Sequence, residues 1–355
     1  MLLVLRNNCF SQSRDRDYKT GAIEISHLFL VYRRDMMKTY LAPLEGITGY
    51  IYRNAYHTFF PDFDKYFLPF IAPHEKRCFN AKEKNDLLPE HNEGMHAVPQ
   101  VLTNRAADFI QIAEKIADFG YEEINLNLGC PSGTVAAKGR GSGFLAHPKE
   151  LDRFLDEIFS KTKLAISIKT RVGKDSYEEW QNLLEIFLQY PVKELIVHPR
   201  IQKDFYKNTP HMESFAYAVD YCEKKGYPDL CYNGDLVTTE DIAAFRQAYP
   251  GVDAIMLGRG IIRNPGLYGE MLGSPVVDKK TLQSFHDKLY ADYTEEFSGD
   301  RNVLFKMKEI WSYMIDLFVD DKKYGKKIRK SQHAAEYESV VRMLFADARL
   351  KTKIE

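Results

Sequence analysis

Five cysteines are scattered along the 355 residues of this chain, and Cys130 is set apart by its surroundings. The run Asn125-Leu126-Asn127-Leu128 stops at Gly129-Cys130-Pro131 and gives way to a stretch holding Gly133, Gly139, Gly141 and Gly143. A buried strand that ends by delivering a thiol to an open loop has this pattern, a short apolar run closed by turn residues. A free cysteine is usually one more small apolar core residue, but the glycines and the proline around Cys130 favour a thiol at a site. Other polar or reactive residues follow short apolar runs in the same way. They are Gln100, Asn127, Lys169 with Arg171, His198 with Arg200, Asn233-Gly234-Asp235 and Gly258-Arg259-Gly260, joined by Pro43 and Leu44 after the first run. Each alone has a plain explanation: a lysine is usually solvated, a histidine usually satisfied, and Asn-Gly usually a turn. Recurring at one run after another, they read as a constellation. The Asn-Gly-Asp and Gly-Arg-Gly turns among them fit many phosphate-binding barrels.

The elements that must hold this constellation can be read from periodicity. Strands are expected at 39–44, 66–71, 97–102, 123–128, 164–170, 194–198, 229–232 and 253–258. Between them, 105–120, 147–162, 177–190, 212–226 and 239–251 repeat apolar residues at three- and four-residue spacing, as crossover helices on a parallel sheet do. Eight strands, each returning on the same side, make an α/β fold of the (β/α)8 TIM-barrel type more economical than an open sheet. One crossover departs from the template, because 77–94 reads as loop rather than helix. In this fold active-site groups collect at the C-terminal ends of the strands, which is where the residues named above fall.

The rest of the chain divides around that barrel. Residues 1–36 read as an N-terminal extension that carries no chemistry, 37–272 as the barrel, and 273–355 as a small all-helical C-terminal domain, with a linker marked by Gly273 and Pro275. In the helical part, Asp321 to Lys330 sets six basic residues against one acid, and Lys306 and Lys308 lie on the preceding helix, a surface suited to tracking phosphates. A solvated face is the plainer reading of such a run. A hydrophobic share of 45% with 28% charged residues is that of a globular protein, and no run approaches the ~20 apolar residues of a membrane helix. The opening MLLVL is too short for a secretory signal core, so a cytoplasmic location without membrane contact is expected. The cysteines are odd in number and lack any C-x-x-C pair, which argues for reduced thiols over disulfides or structural zinc. A net charge of −1 gives no global basic field, so nucleic-acid binding would need local patches. No residue pattern points to a protein partner, and none points to a metal.

The blocks YLAPLEGIT, NLNLGCPSGTVAAKGRGSGFL, IKTR, IVHPR, CYNGD and LGRGIIRNP resemble, in order, those of the tRNA-dihydrouridine synthases, over about residues 38–320. Asn-x-Gly-Cys-Pro followed by the Gly-rich loop is the distinguishing block. The resemblance implies FMN as cofactor, NADPH as reductant, tRNA as partner and reduction of the C5=C6 bond of particular uridines. It assigns Cys130 as the acid that protonates C5 after hydride reaches C6, a role that needs a thiol still protonated at neutral pH. Pro43 and Leu44 would lie against the flavin ring, Gln100 at its pyrimidine edge, and Lys169 near N1 and the C2 oxygen. His198 would sit by the flavin or its phosphate, and Asn233, Gly234, Asp235, Gly258 and Arg259 would hold the phosphate. Asn127, Arg171 and Arg200 are assigned to the substrate, with Lys138, Arg140, Lys306 and Lys308 as phosphate contacts. The C-terminal helical domain would bind tRNA. Two other readings stay open: a flavin barrel acting on a free pyrimidine or small enone, and a barrel that binds RNA without catalysis.

Overall fold

The structure is a computed structural model, and it describes residues 37–74, 78–226 and 229–352. The expectation for 1–36 lies outside the described residues. The strands are β1 (Lys38–Leu41), β2 (Lys65–Phe67), β3 in two pieces (Ala97–Val98 and Gln100–Val101), β4 (Glu123–Leu128), β5 (Ala165–Gly173), β6 (Glu194–Ile201), β7 (Asp229–Tyr232) and β8 (Ala254–Leu257). All pair in parallel in one sheet whose order begins with one piece of β3 and ends with the other. Tyr66 pairs with Ala97 on one side, and Gln100 pairs with Asn125 on the other. Pro99 lies between the pieces. It has no N–H to give to a ladder, yet its carbonyl accepts the Asn125 N–H at 2.8 Å. Because both ends of the sheet are one strand, the sheet is a closed ring of eight, the expected (β/α)8 barrel.

Helices α1 (Tyr50–Phe59), α2 (Ala81–Leu87), α3 (Ala106–Asp118), α4 (Pro148–Lys161), α5 (Glu179–Phe187), α6 (Met212–Lys225) and α7 (Thr239–Ala248) follow the first seven strands in turn. Each of the five read from periodicity buries an apolar stripe; in α3 it is Phe109, Ile112, Ala113 and Ile116. Helix α2 corrects the loop expected at 77–94. It buries only Asp86 and Leu87, so it has no stripe to betray it, and it is set instead by a capping box in which Asn80 and Glu83 satisfy each other's backbone N–H groups. Its end is fixed by buried Arg53 of α1, which donates to the Asp86 carbonyl at 3.0 Å and to Asn92 Oδ1 at 2.8 Å.

Inside the barrel, Tyr40, Phe67, Val98, Ile196, Cys231 and Met256 form an apolar layer. Beneath it Lys65 Nζ donates to Glu123 at 3.0 Å and to Glu194 at 3.0 Å, while the Tyr40 hydroxyl donates to Glu194 at 2.5 Å. Two carboxylates around one ammonium compensate a desolvation that neither charge would bear alone. Beyond two short helices after β8, Arg259–Arg263 and Leu267–Met271, come four longer ones: α8 (Lys279–Glu296), α9 (Asp300–Met314), α10 (Asp321–Lys330) and α11 (Ala334–Asp347). Helix α8 packs beside α1, where Phe285 meets Tyr52, Phe59 and Phe60 edge-on. The chain from Lys38 on forms one compact unit.

Candidate active site

Strand periodicity brings the site residues together. Asn127 pairs with Lys169 across β4 and β5, and Arg171 pairs with His198 across β5 and β6. Alternate residues of a strand share a face, so Asn125 and Asn127, Ser167, Lys169 and Arg171, and Ile196, His198 and Arg200 all point to the barrel interior. β5 and β6 run three residues beyond the expected ends, to Gly173 and Ile201, so Arg171 and Arg200 are strand residues rather than loop residues. β1 is shorter than expected and stops at Leu41, which leaves Pro43 and Leu44 free to line the barrel mouth.

The Cys130 segment is held on both sides. Asn127 Oδ1 accepts the backbone N–H groups of Gly129 at 3.0 Å and Cys130 at 2.9 Å. The Gly-rich loop then folds back, so that Ser142 donates its hydroxyl to the Cys130 carbonyl at 2.7 Å and its N–H at 3.2 Å. Gly141, at φ +55°, comes so near that a Cβ there would lie 2.9 Å from the Cys130 carbonyl oxygen; at Gly143 it would lie 2.4 Å from the Ala136 carbonyl oxygen. Two of the loop's glycines are thus needed for its return path. The Cys130 thiol is half-buried, and burial pushes its pKa up. A protonated thiol is therefore its resting state near neutrality, as an acid requires.

Ala42, Pro43, Leu44, Lys169, His198 and Tyr206 line a cleft with the turns Asn233–Val237 and Gly258–Gly260. Lys169 Nζ has no hydrogen-bond partner among the described residues. Burial, with the charge of Arg171 beside it, pulls its pKa down to about 8. His198 is held well below the usual range by burial and then by Arg171, Lys169, Arg200 and Arg259, so it is neutral. Arg200 lies 3.0 Å from its Nε2. An arginine only donates, which places the His198 proton on Nδ1. Asn233 anchors its turn by donating to the Met256 carbonyl at 2.8 Å. Gly234 has no room for a side chain, since a Cβ would lie 2.0 Å from the Tyr232 hydroxyl. The N–H groups of Gly234, Asp235, Gly258 and Arg259 are given to no acceptor among the described residues.

Several expected site residues serve the scaffold. Besides holding the Cys130 loop, Asn127 donates to Gln100 Oε1 at 2.7 Å, and Gln100 donates to Asn125 Oδ1 at 2.8 Å. Both amides are buried. Arg171 is fully buried and donates to the carbonyls of Gly129, Ile201 and Phe205 at 3.0, 2.8 and 2.6 Å, so its fork ties β5 to the two loops that follow β4 and β6. Arg200 is fully buried too and chelates the Asp235 carboxylate, which also accepts from Arg259 at 2.5 Å. A carboxylate there repels a phosphate, so Asp235 can offer one only its backbone N–H. Lys306 donates to the Gly46 carbonyl at 2.6 Å beside the mouth, and Lys308 donates to the Ser331 carbonyl among the helices. Lys138 is exposed and Arg140 half-exposed, and neither forms an ion pair among the described residues. Tyr206, not anticipated from the sequence, lies under the guanidinium groups of Arg259 and Arg171, at 4.8 and 5.3 Å from its ring centre. The only hint of it was an aromatic pair between lysines, Lys203-Asp204-Phe205-Tyr206-Lys207.

The family model described as dihydrouridine synthase matches residues 40–348. A protein of Staphylococcus epidermidis named "Probable tRNA-dihydrouridine synthase" is 30% identical over 244 residues, which is 63% of this chain and 69% of that protein. One of the same name from Staphylococcus aureus is 29% identical over 63% of this chain and 68% of its own length. "Probable tRNA-dihydrouridine synthase 2" of Bacillus subtilis is 26% identical over 72% of this chain and 79% of its own length. The family match runs from the first barrel strand, through the cysteine loop and the cleft, to the last helix, and the chain belongs to the dihydrouridine synthase family of oxidoreductases.

Proposed function

We propose that this protein reduces uridines of tRNA to 5,6-dihydrouridine, with FMN as cofactor, NADPH as reductant and Cys130 as the acid that protonates C5. The observation that carries the reading is a thiol kept protonated by burial and delivered to the same end of the barrel as the unpartnered Lys169 ammonium. The cleft suits FMN. Four unused backbone N–H groups around a bare Gly234 match a phosphate monoester, Lys169 supplies a positive charge for an anionic ring, and Pro43 and Leu44 offer an apolar wall. Bound there, the flavin would supply the hydride that saturates C6.

The chain's own residues do the rest. Saturation of C6 leaves C5 in need of a proton; the Cys130 S–H bond breaks as the C5–H bond forms, and the thiolate recovers its proton from solvent. Neutral His198, donating from Nδ1, adds a hydrogen bond to the cleft without adding charge. Asn127 and Ser142 fix the Cys130 backbone, so the thiol is positioned before the base arrives. The target base must leave its stack to reach the cleft, a cost that falls on any substrate held in helical RNA. Residues from about 273 on, with their exposed basic helix, would hold the tRNA body, and a cytoplasmic setting follows from that substrate. Among the described residues no helix is long and apolar enough to cross a membrane.

The test is single-turnover oxidation of pre-reduced protein by unmodified tRNA. Cys130→Ala should fold, keep its flavin and accept electrons from NADPH at the normal rate, yet form dihydrouridine about 100- to 10,000-fold more slowly, the usual worth of a positioned acid. Near-normal oxidation by tRNA in that variant would remove Cys130 from the acid role, and a colourless variant would place it among the groups that retain flavin.

A further inference from the structure

Phe205 is, among the described residues, the one residue other than glycine with a positive φ, 49° with ψ −104°. Such a backbone favours glycine and is strained for an aromatic residue. Phe205 is 41% exposed, the neighbouring Tyr206 is 49% exposed, and the Phe205 ring meets no other aromatic ring among the described residues. Glycine here would relieve the strain and remove an apolar surface from water, so local conformation does not account for phenylalanine.

The strain is held by a rigid loop. Phe205 accepts from Arg171 at 2.6 Å and donates its N–H to the Gln202 carbonyl at 3.2 Å. Gln202 Nε2 donates to the carbonyl of Pro131, the residue after Cys130, at 3.0 Å. Asp204 accepts from the Ile201 N–H at 3.0 Å, from Tyr177 at 2.6 Å and from Asn208 at 2.6 Å. The loop is therefore tied to the Cys130 segment by Gln202 and by Arg171, which donates to both. Lys207 is exposed on one side of the aromatic pair, Lys203 on the other is exposed and paired with Asp175 at 2.8 Å, and Tyr206 continues the surface into the cleft. A flat apolar face beside a cation that is unpaired among the described residues, at the rim of the cleft, matches a nucleotide of single-stranded RNA: a base to stack and a phosphate for Lys207.

We propose that Phe205 is a stacking post for the base next to the target uridine, so that the stacking this neighbour loses when the uridine is extruded is replaced by the protein. This rests on the proposed function and adds to it a contact outside the reacting base. The test compares Phe205→Gly, Phe205→Leu and Phe205→Trp with the parent protein, using an unmodified tRNA transcript. Phe205→Gly suits the backbone, so its thermal midpoint should equal or exceed the parent's, with flavin content and the rate of flavin reduction by NADPH unchanged. Its half-saturating tRNA concentration and its dissociation constant for the transcript should rise about 5- to 100-fold, the usual effect of removing one stacking ring. Phe205→Leu, apolar but not flat, should share the loss, whereas Phe205→Trp should restore binding. Equal tRNA affinity in the Gly and parent proteins would overturn the stacking post while leaving dihydrouridine formation standing. If the parent binds the transcript without reducing it, the function is wrong, and the affinity ratio still decides the role of Phe205. If the parent neither binds nor reduces it, both fall.

Discussion

Lys169 is the side chain whose state depends most on what fills the cleft. With its pKa pulled down to about 8, it is charged below that pH and loses its charge above it. An anionic partner favours the ammonium, so binding should take up protons near pH 8 and weaken as the pH rises beyond it. FMN affinity of flavin-free protein, followed by quenching of flavin fluorescence, is therefore expected to fall several-fold between pH 7 and pH 9. Lys169→Gln should bind more weakly at pH 7 and show little change over the same interval; a pH response that survives in the Gln protein would place its origin elsewhere. The position of Lys169 was legible, because a polar residue ending an apolar run in a barrel sits at the mouth. The commitments of its neighbours were not. Asn127, Arg171 and Arg200 look equally available in sequence, and only their partners show them occupied: the Cys130 N–H and Gln100 for Asn127, carbonyls of β6 and the loop after it for Arg171, and the Asp235 carboxylate for Arg200.

Helix α10 carries a prediction of its own. Tyr324 and Ile328 are buried at i and i+4, and this leaves Lys322, Lys323, Lys326, Lys327, Arg329 and Lys330 exposed on the rest of its surface. Exposed charges that meet phosphates act through counterion release. Changing Lys322, Lys323, Lys326 and Lys327 together to Gln should weaken tRNA binding and lower the slope of log affinity against log salt by up to about one for each phosphate no longer neutralised. Flavin content should not change, since the apolar seam is untouched. An unaltered salt slope would show the helix to be a solvated face. Helix α2 teaches the complementary lesson. Its apolar stripe is missing, but the Asn80-x-x-Glu83 capping pair stood in the sequence and would have located the first turn.

Over the whole molecule, barrel closure bears on the N-terminal residues. β1 already has two neighbours, β2 and β8, and β3 joins the sheet's two ends, so the ring is complete within residues 38–257 and leaves no slot for a further strand. A protein beginning at Met36 is therefore expected to retain parental flavin content, thermal midpoint and rate of dihydrouridine formation. A drop in flavin content or midpoint on deleting 1–35 would show that this segment supports the barrel.

Strand number, parallel pairing and most crossover helices were determined by the sequence itself, because period-2 and period-3.6 burial leave their mark residue by residue. The Cys-Pro step and the Gly-rich loop marked the Cys130 segment for the same reason, through local conformational need. Tertiary structure alone decided what depends on residues far apart in the chain. Closure at Pro99 needs β2 and β4 on opposite sides of one broken strand. The depressed pKa of Lys169 and the neutral state of His198 come from charges gathered from several strands into one desolvated space. The positive φ of Phe205, and the arginine of another strand that donates to its carbonyl, had no signature in the sequence. Hydrogen-bond partners and desolvation are properties of the assembled ring, and no local pattern encodes them.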